Sequence, residues 1–235
     1  MYNYLLIDKI LTAIFPLPSH FGVLYSDSYE DGPINFFELE QIIHDVDPDA
    51  KINYGVSKMA ISSPHLNNVV IKIPFNGMYF KEDEDKDYNW CPFEFATGSD
   101  AADYCLAEYE KYSSLKAHGL DCFVAKTVFY KTIDNFRIFL QEEVTPECDL
   151  CFSASKSSEK SKKLAQEWKS KEHFYYSQEW LASCFDAYGE DKVAELFKYY
   201  NQVDCDILQD LHDGNIGYRI SDKSPAILDY SNFMD

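Results

Sequence analysis

Apolar residues recur at helical spacing over positions 1–15 and 36–45, on either side of a turn-rich stretch from Ser26 to Pro33. From Lys51 the period falls to two. Ile52 and Tyr54 alternate with polar neighbours, and Val69, Val70, Ile71, Lys72 and Ile73 form a β-branched run that predicts a strand. The charge run from Lys81 to Asp87 predicts a solvated loop. Ala101 to His118 predicts a helix with Leu106 and Leu115 on one face and Gly119 as its cap. Val124 to Tyr130 and Phe136 to Val144 predict two strands joined by a turn from Thr132 to Asn135. Past Pro146, Ser153 to Lys163 reads as a flexible connection, and helical periodicity returns over Leu164 to Leu181 and Lys192 to Leu208. The last segment, Asp210 to Asp235, holds Gly214, Gly217 and two short apolar runs, Ile216 to Ile220 and Ala226 to Leu228, and predicts a hairpin with a polar mouth. Strands with one helix, followed by helices with a late hairpin, make an α+β chain of two lobes, hinged near Glu142 to Pro146. The expected division is a helical extension over 1–48, a β lobe over 49–144 and a helical lobe over 145–235.

Composition narrows the function. A formal charge of −19 on 235 residues leaves no concentrated basic face, which excludes a nucleic-acid binder and docking on anionic lipid. A nucleotide stays open, because a metal ion and a few placed groups can outweigh the overall field. Apolar content of 46% with 16% aromatics supplies a core of native size. No stretch approaches the ~20 apolar residues of a membrane span, and Asp8 and Lys9 interrupt the N-terminal apolar region, so no signal peptide is expected. Seven cysteines, an odd number, fit reduced thiols in cytoplasm. Cys148 and Cys151 form one isolated pair without the second pair that zinc requires. The six histidines show no paired ligand spacing.

Chemistry concentrates between Leu208 and Tyr230. Asp210 lies five residues before Asn215, and Asp229 fourteen residues after it. Phosphoryl transfer needs a carboxylate to orient the attacking hydroxyl and oxygen ligands to hold Mg²⁺. Asp210-Leu-His212-Asp-Gly214-Asn215 resembles the catalytic loop of the protein-kinase-like superfamily, closest to the aminoglycoside and choline phosphotransferase branch, whose loop reads His-Gly-Asp-Leu-His-x-Gly-Asn. The resemblance makes Asp210 the catalytic base, Asn215 and Asp229 Mg²⁺ ligands, and His212 and Gly214 supporting residues. It extends upstream in order. Lys72 resembles the third-strand lysine that meets the nucleotide phosphates. Glu108 resembles the helix-borne glutamate that holds this lysine, and fits better than Glu110. Gln141, Glu142, Glu143 and Val144 resemble the hinge that binds adenine, and Gly55, in Tyr54 to Lys58, the loop that covers the phosphates.

Each element alone is ordinary: an Asp and Asn five apart more often cap a turn than bind a metal. The set in one order implies a two-lobed kinase-like fold, with a mainly antiparallel β lobe and a small helical lobe. Leu208 and Tyr230-Ser231 depart from the family pattern, and only six residues follow Asp229, so a truncated C-terminal lobe is expected. Two functions follow from the resemblance: an Mg²⁺-ATP-dependent phosphotransferase of unknown acceptor, or a pseudokinase serving as a binding or regulatory module for a protein partner.

Overall fold

The structure, a computed structural model, describes residues 2–15, 36–54, 58–76, 80–83, 86–90, 94–95, 104–133, 136–149, 157–171, 177–203 and 211–230. Gly55 and Asp210 lie outside the described residues, as do the stretch from Ser26 to Pro33, the first four residues of the expected connection at Ser153, and the chain after Tyr230. Two compact units divide the chain: Met1–Tyr109 with Val128–Gln141, and Glu110–Thr127 with Glu142–Asp235.

The first unit is built on strand alternation. Helices α1 (Tyr4–Ile14) and α2 (Phe36–Val46) precede β1 (Lys51–Tyr54), β2 (Lys58–Ser62) and β3 (Val69–Asn76). β4 (Phe80–Asp83), β5 (Lys86–Trp90), β6 (Glu94–Phe95), the start of α3 (Tyr104–Ala117), β7 (Thr127–Ile133) and β8 (Phe136–Glu142) follow. The sheet order is β1-β2-β3-β8-β7, with β6 also on β3, and the β1/β2, β2/β3 and β3/β6 pairs are antiparallel. Met59 registers against Ile73 and Ile61 against Ile71, which gives the sheet one apolar face. In α1, Ile7, Ile10, Leu11 and Ile14 recur at helical spacing and are fully buried; with Leu39 and Ile43 of α2 they share one core with that face. Asn3 caps α1 by accepting the Leu6 N–H at 3.3 Å. Residues 1–48 were expected as an extension; their described helices are part of this unit's core.

Two expectations fail here for physical reasons. The acidic run forms the β4–β5 pair, with Phe80 against Trp90 and Asp83 against Lys86; ladder bonds join backbone groups and are indifferent to side-chain charge. Leu106 and Leu115 do not share a face, being nine residues apart and so half a turn out of phase at ~100° per residue. The buried stripe of α3 is Cys105, Glu108, Tyr112 and Leu115 instead. The helix stops where expected: Gly119 takes φ +68°, and the Leu120 N–H returns to the Leu115 carbonyl at 2.8 Å.

In the second unit, β9 (Val144–Pro146), α4 (Glu159–Lys171), α5 (Gln178–Tyr188), α6 (Glu190–Val203), β10 (Ile216–Arg219) and β11 (Pro225–Ile227) follow the end of α3. The expected connection ends early, because Ala165, buried, with Leu164 and Trp168 packed against the same core, gives α4 an apolar side from Glu159 onward. The expected late hairpin is β10–β11, and β9 extends it to three antiparallel strands. Gly217 is required at this pairing, since a Cβ there would lie 2.0 Å from the Thr145 carbonyl oxygen. The core gathers Phe123, Trp180, Leu181, Leu196, Tyr200 and Ile227, among others. The chain is thus α+β with a mainly antiparallel sheet and six α-helices among the described residues. No helix among them is long and apolar enough to cross a membrane.

Candidate functional site

Glu108 is the one charged member of the α3 stripe, and it is completely buried. A carboxylate in that position is tolerable only with charged partners and good geometry. The sheet supplies them by its alternation. Ala60 registers against Lys72 and Lys58 against Pro74, so both lysines project from the face opposite the apolar one. Lys72 Nζ donates to Glu108 Oε2 at 2.8 Å and Oε1 at 3.0 Å, and Lys58 Nζ donates to Oε1 at 2.6 Å. Gln141 Nε2 reaches Oε2 at 3.4 Å. Lys58, Lys72 and Gln141 are themselves 6%, 5% and 2% exposed, so the cluster is shielded from water and its charges are poorly screened. Lys72, Glu108 and Gln141 are thus brought together as a set, while Glu110 is exposed. Lys58 was read only as the end of a phosphate-covering loop. Its signal was present, since Lys58 and Ala60 alternate with Met59 and Ile61 in the same register as Lys72 with Ile71 and Ile73.

The second unit holds the loop residues. The His212 carbonyl accepts the N–H groups of Asn215 at 2.8 Å and Ile216 at 3.2 Å, and the Gly214 N–H donates to His212 Nδ1 at 3.0 Å. That bond makes Nδ1 an acceptor and puts the ring proton on Nε2. A Cβ on Gly214 would come within 2.9 Å of the same ring, so the glycine and the histidine explain each other. The Asn215 carbonyl accepts from Leu228 N at 2.9 Å and Asp229 N at 3.5 Å, which sets Asn215, 8% exposed, beside Asp229. The next residue, Tyr230, is buried; its hydroxyl donates to the Ala125 carbonyl at 2.8 Å and lies 2.7 Å from Thr127 Oγ1. Asp210 and Gly55 fall outside the described residues.

The expected hinge serves structural bonds as well. The Glu142 N–H donates to the Lys126 carbonyl at 2.8 Å, so that donor is not available to an adenine. Val144 registers against Arg219 in the β9–β10 pair. The Glu142 carboxylate accepts from Arg219 Nε at 3.0 Å, and the same guanidinium donates to the carbonyls of Cys122, Val124 and Pro225 at 2.9, 2.8 and 3.1 Å. Sequence reading missed Arg219; a charged residue inside a short apolar strand was its only mark. Nearby, burial pushes the Glu147 carboxyl above its ordinary range, against the opposing pull of the Ser177 hydroxyl that donates to it at 2.6 Å.

Chemically, the first cluster holds a lysine ammonium at a fixed point on a strand, and the second brings the backbones of Asn215 and Asp229 together at the end of the β10–β11 hairpin. No protein-family model matches the chain, and no curated protein matches it.

Proposed function

We propose that the chain is an Mg²⁺-ATP-dependent phosphotransferase with a two-lobed, protein-kinase-like fold. The observation that carries the reading is the fully buried Glu108 bound to Lys72 on the third strand. A buried ion pair is a poor way to gain stability, since desolvation offsets most of the attraction. It is a good way to fix an ammonium where nucleotide phosphates can meet it. In this reading Lys72 and Glu108 place the phosphates. Asn215 and Asp229 offer hard oxygen donors of the type Mg²⁺ takes. Asp210 orients the acceptor hydroxyl, and the hinge at Glu143 and Val144 takes the adenine.

Thermal unfolding with ATP, with and without Mg²⁺, tests this. A ligand that binds only the folded state stabilises it by about 2.7 kcal/mol at a hundred times its Kd. The expected result is a Mg²⁺-dependent rise in Tm that Lys72→Met abolishes while circular dichroism shows the fold retained. No rise at millimolar Mg²⁺-ATP overturns the proposal. Asp210→Asn should leave ATP binding intact and lower transfer by roughly 10²–10⁴, whereas Asp229→Asn should weaken the Mg²⁺-dependent binding itself. A retained shift with no transfer to proteins, hydroxylated metabolites or the chain itself would assign the pseudokinase role instead.

A further inference from the structure

The turn after α2 and the link between β2 and β3 bring together three side chains that the proposed phosphotransfer does not use. Asp47 and Asp49 follow the last turn of α2, and His65 sits in the short 3-10 turn Pro64–Leu66. His65 Nε2 lies 2.9 Å from Asp49 Oδ2 and 4.0 Å from Asp47 Oδ1, and one donor atom from each of the three residues falls within 4.8 Å of the others. Acidic groups gather at surfaces without consequence, and Asp49 and His65 are exposed. Asp47 is different. It is 3% exposed, and its Oδ2 has no hydrogen-bond partner. A buried carboxylate oxygen left without a donor is costly, and native structures rarely leave one so.

A proton on His65 does not resolve this. An Nε2–H serves the Asp49 oxygen at 2.9 Å, while Asp47 stands at 4.0 Å, beyond hydrogen-bond reach. A cation lying among the three groups meets the Asp47 carboxylate through Oδ1, the oxygen that faces His65 and otherwise accepts only the Asp49 N–H at 3.3 Å, and its charge compensates the buried group whose Oδ2 has no donor. The separations suit one: an ion with bonds of ~2.0–2.1 Å in tetrahedral geometry holds its donors about 3.3 Å apart, between the two values found. One imidazole nitrogen with two carboxylates is an intermediate donor set that suits Zn²⁺, whereas Mg²⁺ prefers oxygen and retains its waters. We propose that Asp47, Asp49 and His65 form a binding site for a divalent transition-metal ion, Zn²⁺ by its donor set, which clips the end of α2 to the β2–β3 link.

Calorimetric titration of the full chain with ZnCl₂, run beside His65→Ala and Asp49→Ala, tests the site. Both replaced residues are exposed, so the fold is not at stake in either variant. The expected result is a Zn²⁺ equivalent whose affinity falls at least ~10-fold in each variant, with a Zn²⁺-dependent rise in Tm that both variants lose. MgCl₂ at the same concentrations should not compete. Absence of Zn²⁺ binding by the wild-type chain overturns the proposal. Equal binding in wild type and His65→Ala also overturns it, since the ion then lies elsewhere, as on the cysteines.

Discussion

Glu108 carries two ammonium groups and shows what one residue can decide. Removing a partner from a buried ion pair strands the charge that remains, at a cost of about 3–5 kcal/mol. Glu108→Gln, which keeps the shape and loses the charge, should therefore lower the urea-unfolding free energy by about that amount. Lys58→Met should cost less, because Lys72 stays on the same carboxylate at 2.8 Å. Equal losses in the two variants would show that the carboxylate is not the centre of the cluster. Asp222 gives the opposite kind of case, an acid near the surface. The Ser224 hydroxyl at 2.7 Å and the Ser224 N–H at 2.9 Å hold its carboxyl below the usual range. A depressed acid stabilises the fold fully above its unfolded pKa of ~3.9 and loses that contribution as pH falls through the lower, folded value. The stability gap between wild type and Asp222→Asn should accordingly be constant near neutrality and close below about pH 4.

Among the elements, the three-stranded sheet of the second unit is the most exactingly packed. Gly217→Ala places a methyl group 2.0 Å from the Thr145 oxygen, where neither backbone can yield without breaking the β9–β10 ladder. The loss in unfolding free energy should reach at least about 1–3 kcal/mol, the range for overpacking; a loss under 0.5 kcal/mol would mean that β9 does not pair as described. This sheet also shows what sequence makes legible. The β10–β11 hairpin was readable because two apolar runs flank a polar turn, and α1 because its stripe repeats strictly. The resemblance, with its spacing to Leu115 and Gly119, favours Glu108 over Glu110, and in the structure Glu108 is fully buried while Glu110 is exposed. Alternation is masked in two places, by charge in the acidic run and at Lys58 by the loop expected around Gly55. The acidic run concealed β4 and β5, and Lys58 was assigned to a loop although its strand alternates. The Asp47, Asp49 and His65 group was not readable, because β1 and β2 intervene between the aspartates and the histidine and only the fold closes that distance.

For the molecule as a whole, the first 48 residues are not dispensable. Six side chains of α1 and α2, namely Ile7, Ile10, Leu11, Ile14, Leu39 and Ile43, are fully buried in one core with the sheet. At ~1.5–3 kcal/mol each, their burial is worth on the order of 10 kcal/mol, as much as the entire stability of a typical domain. Deleting residues 1–48 should leave a chain without a cooperative unfolding transition; a sharp melt in the truncated protein would refute the shared core. The two units are also interleaved along the chain, which passes between them after Tyr109, Thr127 and Gln141. That order has a consequence in time. β3 takes its place in the sheet beside β8, yet 59 residues lie between Asn76 and Phe136. On a ribosome adding ~5–20 residues per second, β8 begins to be made about 3–12 s after β3 is complete. Through that interval β8 is not yet there to cover its edge of β3, and β6 pairs with Phe75 and Asn76 rather than with the Val69–Ile73 stretch; an apolar strand edge invites pairing with another chain. Slower translation lengthens the exposure, so the yield of folded protein should fall as elongation slows between residues 76 and 136.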